Sequence, residues 1–375
     1  MNLTNDPNDG LSPLEEVAIA LQINRPVHIW GVPGTGKTSA VETLAKRLGM
    51  EVEVFIGSIH DPVDLAGAIR PLEDRFVYLP PNWVFARAQA GKDFVLFLDE
   101  FNCTRPDMQA AMHRIILERK VGEYPLPAGT RIVMASNPPG TGTLDIPLSP
   151  AVANRSLHVI WKPDYEEVAA GIERGDFSFL NESILILPEN WRETHLPMAR
   201  QFIAAFLRQF PRCLYETPVS GNETFTGPYP TPRSWEYLAV PWFAACMAIG
   251  LPLEKAAYSI WHAVGEGVGA QFSRFVMEGG ISPTELLERP VKLPPFLVRD
   301  ALHRLVSHLG NKVELYEDDC RKFWRVITEN LEYRDVVFLE VLKRVRKEVP
   351  GLIAFIPDAI LNELSAVATS REVQQ

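Results

Sequence analysis

Short β-branched runs alternate with helical patterns through the first 160 residues. PVHIW (26–30), EVEVFIG (51–57), FVLFLDE (94–100), TRIVMASN (130–137) and SLHVIW (156–161) read as five strands. The runs nearest the middle are apolar almost without a break, as strands covered on both faces must be. KTSAVETLAKRLGM (37–50) reads as the first helix, because Ala40, Val41, Leu44 and Leu48 recur at helical spacing. Residues 106–120 read as another, with Pro106 in the first turn, where its missing N–H costs nothing. Such alternation predicts a parallel sheet with helices on both faces. Past Trp161 the pattern changes, and WKPDYEEV opens a run of amphipathic helices that continues to the end with no second sheet. Two stretches interrupt it as expected loops, TPVSGNETFTGPYPTP (217–232) and ISPTELLERPVKLPPF (281–296). No repeat of 20–50 residues is visible, which argues against a solenoid.

Composition acts mainly by exclusion. A chain of 375 residues, 46% apolar and 22% charged, suggests two or three folding units and rules out wholesale disorder. Its 31 prolines point to many defined loops rather than one long coiled coil. The net charge of −10 is spread evenly, with 14 basic against 18 acidic residues up to Trp161 and 23 against 29 beyond it. Without a basic half or tail, a nucleic-acid-coating protein is disfavoured, although a local patch on an assembled ring would escape this count. Cys103, Cys213, Cys246 and Cys320 show no CxxC spacing, so neither a disulfide framework nor a zinc site is indicated, and a reducing cytosol is expected. The polar MNLTNDPNDG start is unlike a signal peptide. Tyr237 to Leu253 carries no charge, but Pro241, Gly250 and Pro252 interrupt it, so a buried helix is expected rather than a membrane span.

The chemistry concentrates at three strand ends. GVPGTGKT (31–38) matches the phosphate-cradling pattern G-x-x-x-x-G-K-[ST], preceded by a strand and followed by a helix. Gly31, Gly34 and Gly36 let the backbone wrap closely and aim N–H groups at phosphate oxygens. Val32, Pro33, Thr35 and Ser39 complete the loop and its helix start. Lys37 supplies a point charge near the β- and γ-phosphates, and Thr38 a hydroxyl for Mg²⁺. FVLFLDE ends in two carboxylates. Asp99 is suited to the metal shell and Glu100 to polarising the attacking water, strand alternation being expected to send them to different sides. The next strand ends in Asn137, whose amide suits the water or the γ-phosphate; equally, it is a turn-forming Asn before Pro138.

Phosphate loop, DE-ending strand, Asn-ending strand and helical tail, in that order, resemble an AAA+ ATPase. More narrowly, 60–89, 99–121 and TPRSWE (231–236) are similar to the MoxR-type, helix-2-insert branch. The resemblance covers residues 11–280 and implies a P-loop α/β domain with a five-stranded parallel sheet sandwiched by helices. The expected layout is a nucleotide-binding domain (11–163) and an all-α lid (164–280), with a flexible start (1–10) and a C-terminal helical extension (281–375) outside the resemblance. Arg233 takes the place of the lid sensor that reaches the γ-phosphate. Arg155, in SPAVANRS, takes the place of the arginine finger, with Asn-Arg-Ser standing where the branch has Asp-Arg-Phe. Arg114 and Arg119 are alternative trans-acting arginines or solvated helix positions. Hairpins at 69–79 and 119–127 would line the ring's axial face, where Phe76, Tyr78 and Tyr124 either touch a partner or pack the hairpins down.

The implied activity is Mg²⁺-dependent ATP hydrolysis by a cytoplasmic homo-oligomeric ring, a hexamer in this family, coupled to chaperone-like remodelling of a partner protein. A von Willebrand factor A-domain protein is the partner class the resemblance suggests. A nucleic-acid motor of the restriction type and an ATP-dependent switch or binding module are the rival readings. His60, His113 and His158 share no metal-like spacing and are expected as ordinary loop, helix and strand residues, and Trp191, Trp235, Trp242 and Trp261 are expected in the core. KRVRKE (343–348) is expected as a solvated helix face.

Overall fold

The computed structural model describes residues 10–138, 148–175, 184–216 and 227–277, and within 283–361 the segments 283–288, 295–312, 314–331 and 336–358 with a few single residues. All of the N-terminal ten except Gly10, most of the 217–232 loop and much of 281–296 lie outside the described residues. The chain packs as two compact units, Met1–Leu196 with Phe210–Ser273, and Pro197–Gln209 with Arg274–Gln375.

The first unit opens with a helix that the strand-and-helix pattern above did not include, α1 (Pro13–Gln22). Ser12 caps it: its Oγ accepts from the Glu15 N–H at 3.3 Å, and the Glu15 carboxylate accepts from the Ser12 N–H at 2.7 Å. Then follow β1 (Val27–Trp30), α2 (Lys37–Arg47), β2 (Glu51–Ile56), α3 (Pro62–Ala66), β3 (Ala68–Pro71), β4 (Phe76–Leu79), α4 (Asn82–Ala90) and β5 (Phe94–Asp99). Next come α5 (Pro106–Glu118), β6 (Lys120–Val121), β7 (Tyr124–Pro125), β8 (Thr130–Ser136), α6 (Pro150–Ala153), β9 (Leu157–Ile160) and α7 (Tyr165–Arg174). The five expected strands form one parallel sheet, ordered β2-β5-β8-β1-β9. The three central strands and edge strand β9 are largely buried, whereas the other edge strand, β2, is only partly so. In such a sheet the carboxyl ends of the strands form the ligand edge, and Gly31, Asp99 and Asn137 follow β1, end β5 and follow β8.

Both hairpins form, β3 with β4 and β6 with β7, each antiparallel. A Cβ on Gly122 would lie 2.5 Å from the Tyr78 ring, so that turn admits only glycine, whose φ is +59°. Tyr124 meets Phe85 edge-on at 5.8 Å, while Phe76 is 75% exposed. Of the three hairpin aromatics, two pack and one faces solvent.

The helical remainder begins with α8 (Trp191–Gln209), which contains Pro197, where the two units divide. A 3₁₀ turn (Pro211–Leu214) and a π-helical run (Ser234–Ala239) lead into α9 (Val240–Ala248), α10 (Leu253–Tyr258), α11 (Trp261–Val264) and α12 (Glu266–Met277). Pro241 has no N–H to give the Tyr237 carbonyl four residues back. Arg25 Nε donates to that carbonyl at 2.5 Å, and its guanidinium lies 4.3 Å over the Tyr237 ring. The uncharged Tyr237–Leu253 stretch is largely buried from Leu238 to Cys246, as expected of a core helix. Among the described residues no helix is long and apolar enough to cross a membrane. The four tryptophans expected in the core are all buried.

Behind the ligand edge runs a buried polar chain. Trp30 Nε1–H donates to His158 Nδ1 at 3.0 Å, so the ring proton of His158 is on Nε2, which donates to the Ala153 carbonyl at 3.0 Å. His262 Nδ1 donates to the His158 carbonyl at 2.6 Å, and its Nε2 lies 3.1 Å from Glu16. His28 stacks on Trp30 at 4.3 Å and reaches Ser136 Oγ at 2.7 Å. His158 is thus part of a buried network rather than an ordinary strand position.

In the second unit the helices are α13 (Pro283–Glu288), α14 (Pro295–Gly310), α15 (Glu317–Asn330) and α16 (Val336–Glu348), with a closing 3₁₀ turn (Pro350–Phe355). Helix α13 falls inside the stretch expected as a loop; at six residues it is too short to show a helical period. The KRVRKE face is solvated in part: Val345 is buried, and Arg344 reaches Ser307 Oγ at 2.7 Å.

Candidate active site

The phosphate loop leaves β1 at Gly31, whose N–H extends the sheet to the Ser136 carbonyl at 3.1 Å. A Cβ on Gly31 would meet Trp161 Cβ at 2.9 Å, so the loop starts where only glycine fits. Gly34 (φ +77°) and Gly36 (φ +81°) take left-handed backbone, and Gly36 immediately precedes α2. Val32, Pro33 and Gly34 are exposed, leaving the cradle open, and Trp161 Nε1 holds it from below by donating to the Thr35 carbonyl at 2.9 Å. Lys37 Nζ folds back onto the Gly31 and Val32 carbonyls at 2.7 and 3.0 Å. Burial lowers its pKa, and Asp99, Cys103 and Glu100 act in the opposite direction.

Strand β5 brings the carboxylates beneath this loop. Thr38 Oγ1 donates to Asp99 Oδ2 at 2.8 Å, and the Glu100 N–H donates to Asp99 Oδ1 at 2.8 Å. The expected division between the two acids does not arise from strand alternation. The strand ends at Asp99, and Glu100 turns out of it with left-handed φ of +53°. A hydroxyl and a carboxylate side by side are the hard oxygen pair that Mg²⁺ takes alongside phosphate and water oxygens. Among the described residues no cluster of three or more His, Cys, Asp or Glu offers another metal site.

Asn137 stands at the end of β8, held by two residues that motif reading missed. Asn102 bonds both its backbone groups, and Asn137 Nδ2 donates to Cys103 Sγ at 3.4 Å. Nothing local in the sequence announces these contacts, because they depend on how β5 and β8 register.

The arginines occupy a different neighbourhood. Arg155 Nη1 donates to the Ala151 carbonyl at 3.0 Å, one turn back. Its pKa is lowered by burial first and then by the Arg233 charge. Arg233 is exposed and immediately precedes the π-helical run. Asn154, where the resembled branch has Asp, is the tie between these segments: its Nδ2 donates to the Tyr229 carbonyl at 3.1 Å and its Oδ1 accepts from Thr231 Oγ1 at 2.7 Å. Arg114 is exposed and pairs with Glu118 at 3.1 Å, one helical turn on. Arg119 is half-buried, donating to the Thr130 carbonyl at 2.7 Å and facing Asn24 Oδ1 at 3.4 Å, so its guanidinium is engaged within its own chain.

Residues 26–155 match the family of AAA domains of the dynein-related subfamily. A 73-residue stretch is 36% identical to midasin of Dictyostelium discoideum, a match that spans 19% of this chain and 1% of midasin. A solved structure of a candidate ATPase from Cytophaga hutchinsonii aligns with a TM-score of 0.41 at 17% identity, over 68% of this chain and 80% of that one. With the parallel sheet and the phosphate loop, the family match defines a nucleotide-binding ATPase domain of the AAA+ class. The matched stretch, residues 26–155, carries that AAA+ ATPase domain and is about a third of the chain.

Proposed function

We propose that this chain is a Mg²⁺-dependent ATPase of the MoxR type that works as a homo-oligomeric ring, most simply a hexamer, in the cytoplasm and remodels a partner protein. The observation that carries the hydrolytic part is the Thr38–Asp99 contact at 2.8 Å beside the glycine loop, with Glu100 following in left-handed backbone. ATP is the substrate. Bound Mg²⁺ would be held by Thr38 and Asp99 and would neutralise phosphate charge there. Lys37 binds the phosphate tail, Glu100 polarises water, and Asn137 orients it or the γ-phosphate. The ring reading is supported by the exposed Arg233 and by Arg155, which among the described residues form no ion pair within the chain. Remodelling of a protein client, with a von Willebrand factor A-domain protein as one class, is supported by the solvent-facing Phe76 and Ile69 on the first hairpin.

Paired variants test the hydrolytic reading. Lys37→Ala removes the loop's fixed charge and should abolish ATP binding. Glu100→Gln should bind ATP and keep it, with turnover reduced about 10²–10⁴-fold. A Glu100→Gln protein that hydrolyses at the wild-type rate would remove the assignment. A gel shift across a salt series covers the nucleic-acid motor, since steep loss of affinity with salt would favour that rival.

A further inference from the structure

Asn102 and Cys103 follow the acidic pair directly and belong to neither the phosphate loop nor the lid. The Asn102 side chain is 3% exposed. Its Oδ1 accepts from the Asn137 N–H at 3.1 Å, and its Nδ2 donates to the Asn137 carbonyl at 3.0 Å. The amide can face only one way, because a backbone N–H only donates and a carbonyl only accepts. The β5–β8 ladder stops at Leu98 and Met134, and the last backbone bond between these segments runs from Phe101 N–H to the Ala135 carbonyl at 2.8 Å. Beyond it, the Asn102 amide adds one more rung in side-chain form. Cys103 Sγ then accepts from the Asn137 side-chain amide at 3.4 Å. The segment is anchored on its far side as well, where Thr104 Oγ1 donates to the Gly57 carbonyl at 2.6 Å, just past β2.

We infer that Asn102 is a positioning residue for ATP hydrolysis: it fixes Asn137 relative to Glu100, with Cys103 setting the tilt of the Asn137 amide. The inference rests on the reading of Lys37, Asp99 and Glu100 as the ATP site. Two strand ends that diverge past their last rung would otherwise place Glu100 and Asn137 independently, and a displacement of about 1 Å between reacting groups costs on the order of 10²-fold in rate. A clamp made of both backbone groups of Asn137 removes that freedom while touching neither nucleotide nor water.

Full-length protein tests it in two ways. Hydrogen exchange read by mass spectrometry should show the Asn137 amide exchanging about fivefold faster or more in Asn102→Ala, the loss of one buried bond, while the β5 amides keep their protection. Steady-state turnover of the same variant should fall about 10–100-fold in kcat, with KM for ATP within about twofold of wild type. Asn102→Asp gives a signature that loose packing would not. Ionised, its carboxylate faces the Asn137 carbonyl without a donor; protonated, it regains one. The ratio of its kcat to wild type should therefore rise as pH falls, whereas the Asn102→Ala ratio should stay flat. Lys37, Asp99, Glu100 and Cys103 are present in every protein compared, so their titration cancels in the Asn102→Ala ratio, which is the baseline for Asn102→Asp. Unchanged Asn137 exchange, wild-type kcat in Asn102→Ala, or a loss expressed as weakened ATP binding would each overturn the inference. Should wild type and Glu100→Gln both fail to turn over ATP, the ATPase reading falls by itself, and exchange at Asn137 still decides whether Asn102 holds it.

Discussion

The phosphate side of this site and its arginine side are built on opposite principles. Around the glycine loop several polar groups already have internal partners: Lys37 on loop carbonyls, Asp99 between a hydroxyl and an N–H, Asn137 on Asn102. On the other side, Arg155 has one carbonyl, Arg233 is exposed, and the Arg155 pKa is lowered by burial and then by the Arg233 charge. Neighbouring cations without a counter-ion are an arrangement suited to receiving an anion. The first side is thus tied together within the chain, and the second is the one that a bound anion is expected to complete.

The comparison breaks most visibly at Arg155. A trans arginine finger contributes about 10³–10⁵ in rate by neutralising charge on the transferred phosphoryl group. Arg155→Ala should thus lose turnover by that factor while ATP binding on the phosphate side stays close to wild type. Mixing it with Glu100→Gln, which keeps Arg155, should restore activity at interfaces that combine an intact Glu100 with an intact Arg155. Light scattering must first show that both variants assemble and exchange. Mixed rings as inactive as either parent would exclude Arg155 as the finger. Arg114 would then be the next candidate, since Arg119 is spent on Thr130 and Asn24.

The two sides were also unequally legible. The five strands and the phosphate loop showed in the sequence because their signals are local, continuous apolar runs and glycines at fixed spacing. Helix α1 was legible too, through Ser12 and Glu15 three apart before an apolar stretch, a capping box that went unread. The left-handed turn at Glu100 was not, since a non-glycine residue at positive φ carries no sequence mark. Asn102, Asn154 and the His28–His158–His262 network were hidden for a different reason. Each joins residues 35 or more positions apart, and only the strand register reveals the partner.

A buried network serving both sides predicts how acid should act on them. His158 is held neutral, with its pKa lowered to about 4 by burial despite the Ala153 carbonyl, and His28 is lowered well below the ordinary range for the same reason. Between the usual value near 6.5 and about 4, the unfolded chain binds the proton that folded His158 refuses, so stability must rise with pH in that window. Acidification from pH 7 to 4 should cost about 3 kcal/mol through His158, and His28 adds to the loss in that window and extends it to lower pH. Urea unfolding followed by tryptophan fluorescence across that range is the measurement. His158→Gln should flatten the slope. A profile as steep in that variant as in wild type would show that His158 is not the group titrating. Since His158 bonds the Ala153 carbonyl and His28 bonds Ser136, the arginine side and the Asn137 strand should loosen together.

The smallest expected effect sharpens the comparison furthest. Asn154→Ala leaves the Tyr229 carbonyl and the Thr231 hydroxyl without the partner that ties the Arg155 segment to the Arg233 segment. Removing a buried bonding partner costs about 1–3 kcal/mol, enough to loosen a local tie without unfolding a domain of this size. The phosphate side shares no bond with Asn154, so ATP affinity should stay within about twofold of wild type. Turnover should fall, because the two guanidinium groups no longer hold a common spacing. The loss should be several-fold, well short of the loss in Arg155→Ala, since both cations remain present. Nucleotide-binding titrations and turnover, measured on the same preparations, separate the two sides. Equal losses in affinity and in turnover would mean that the arginine side and the phosphate side act as one rigid site.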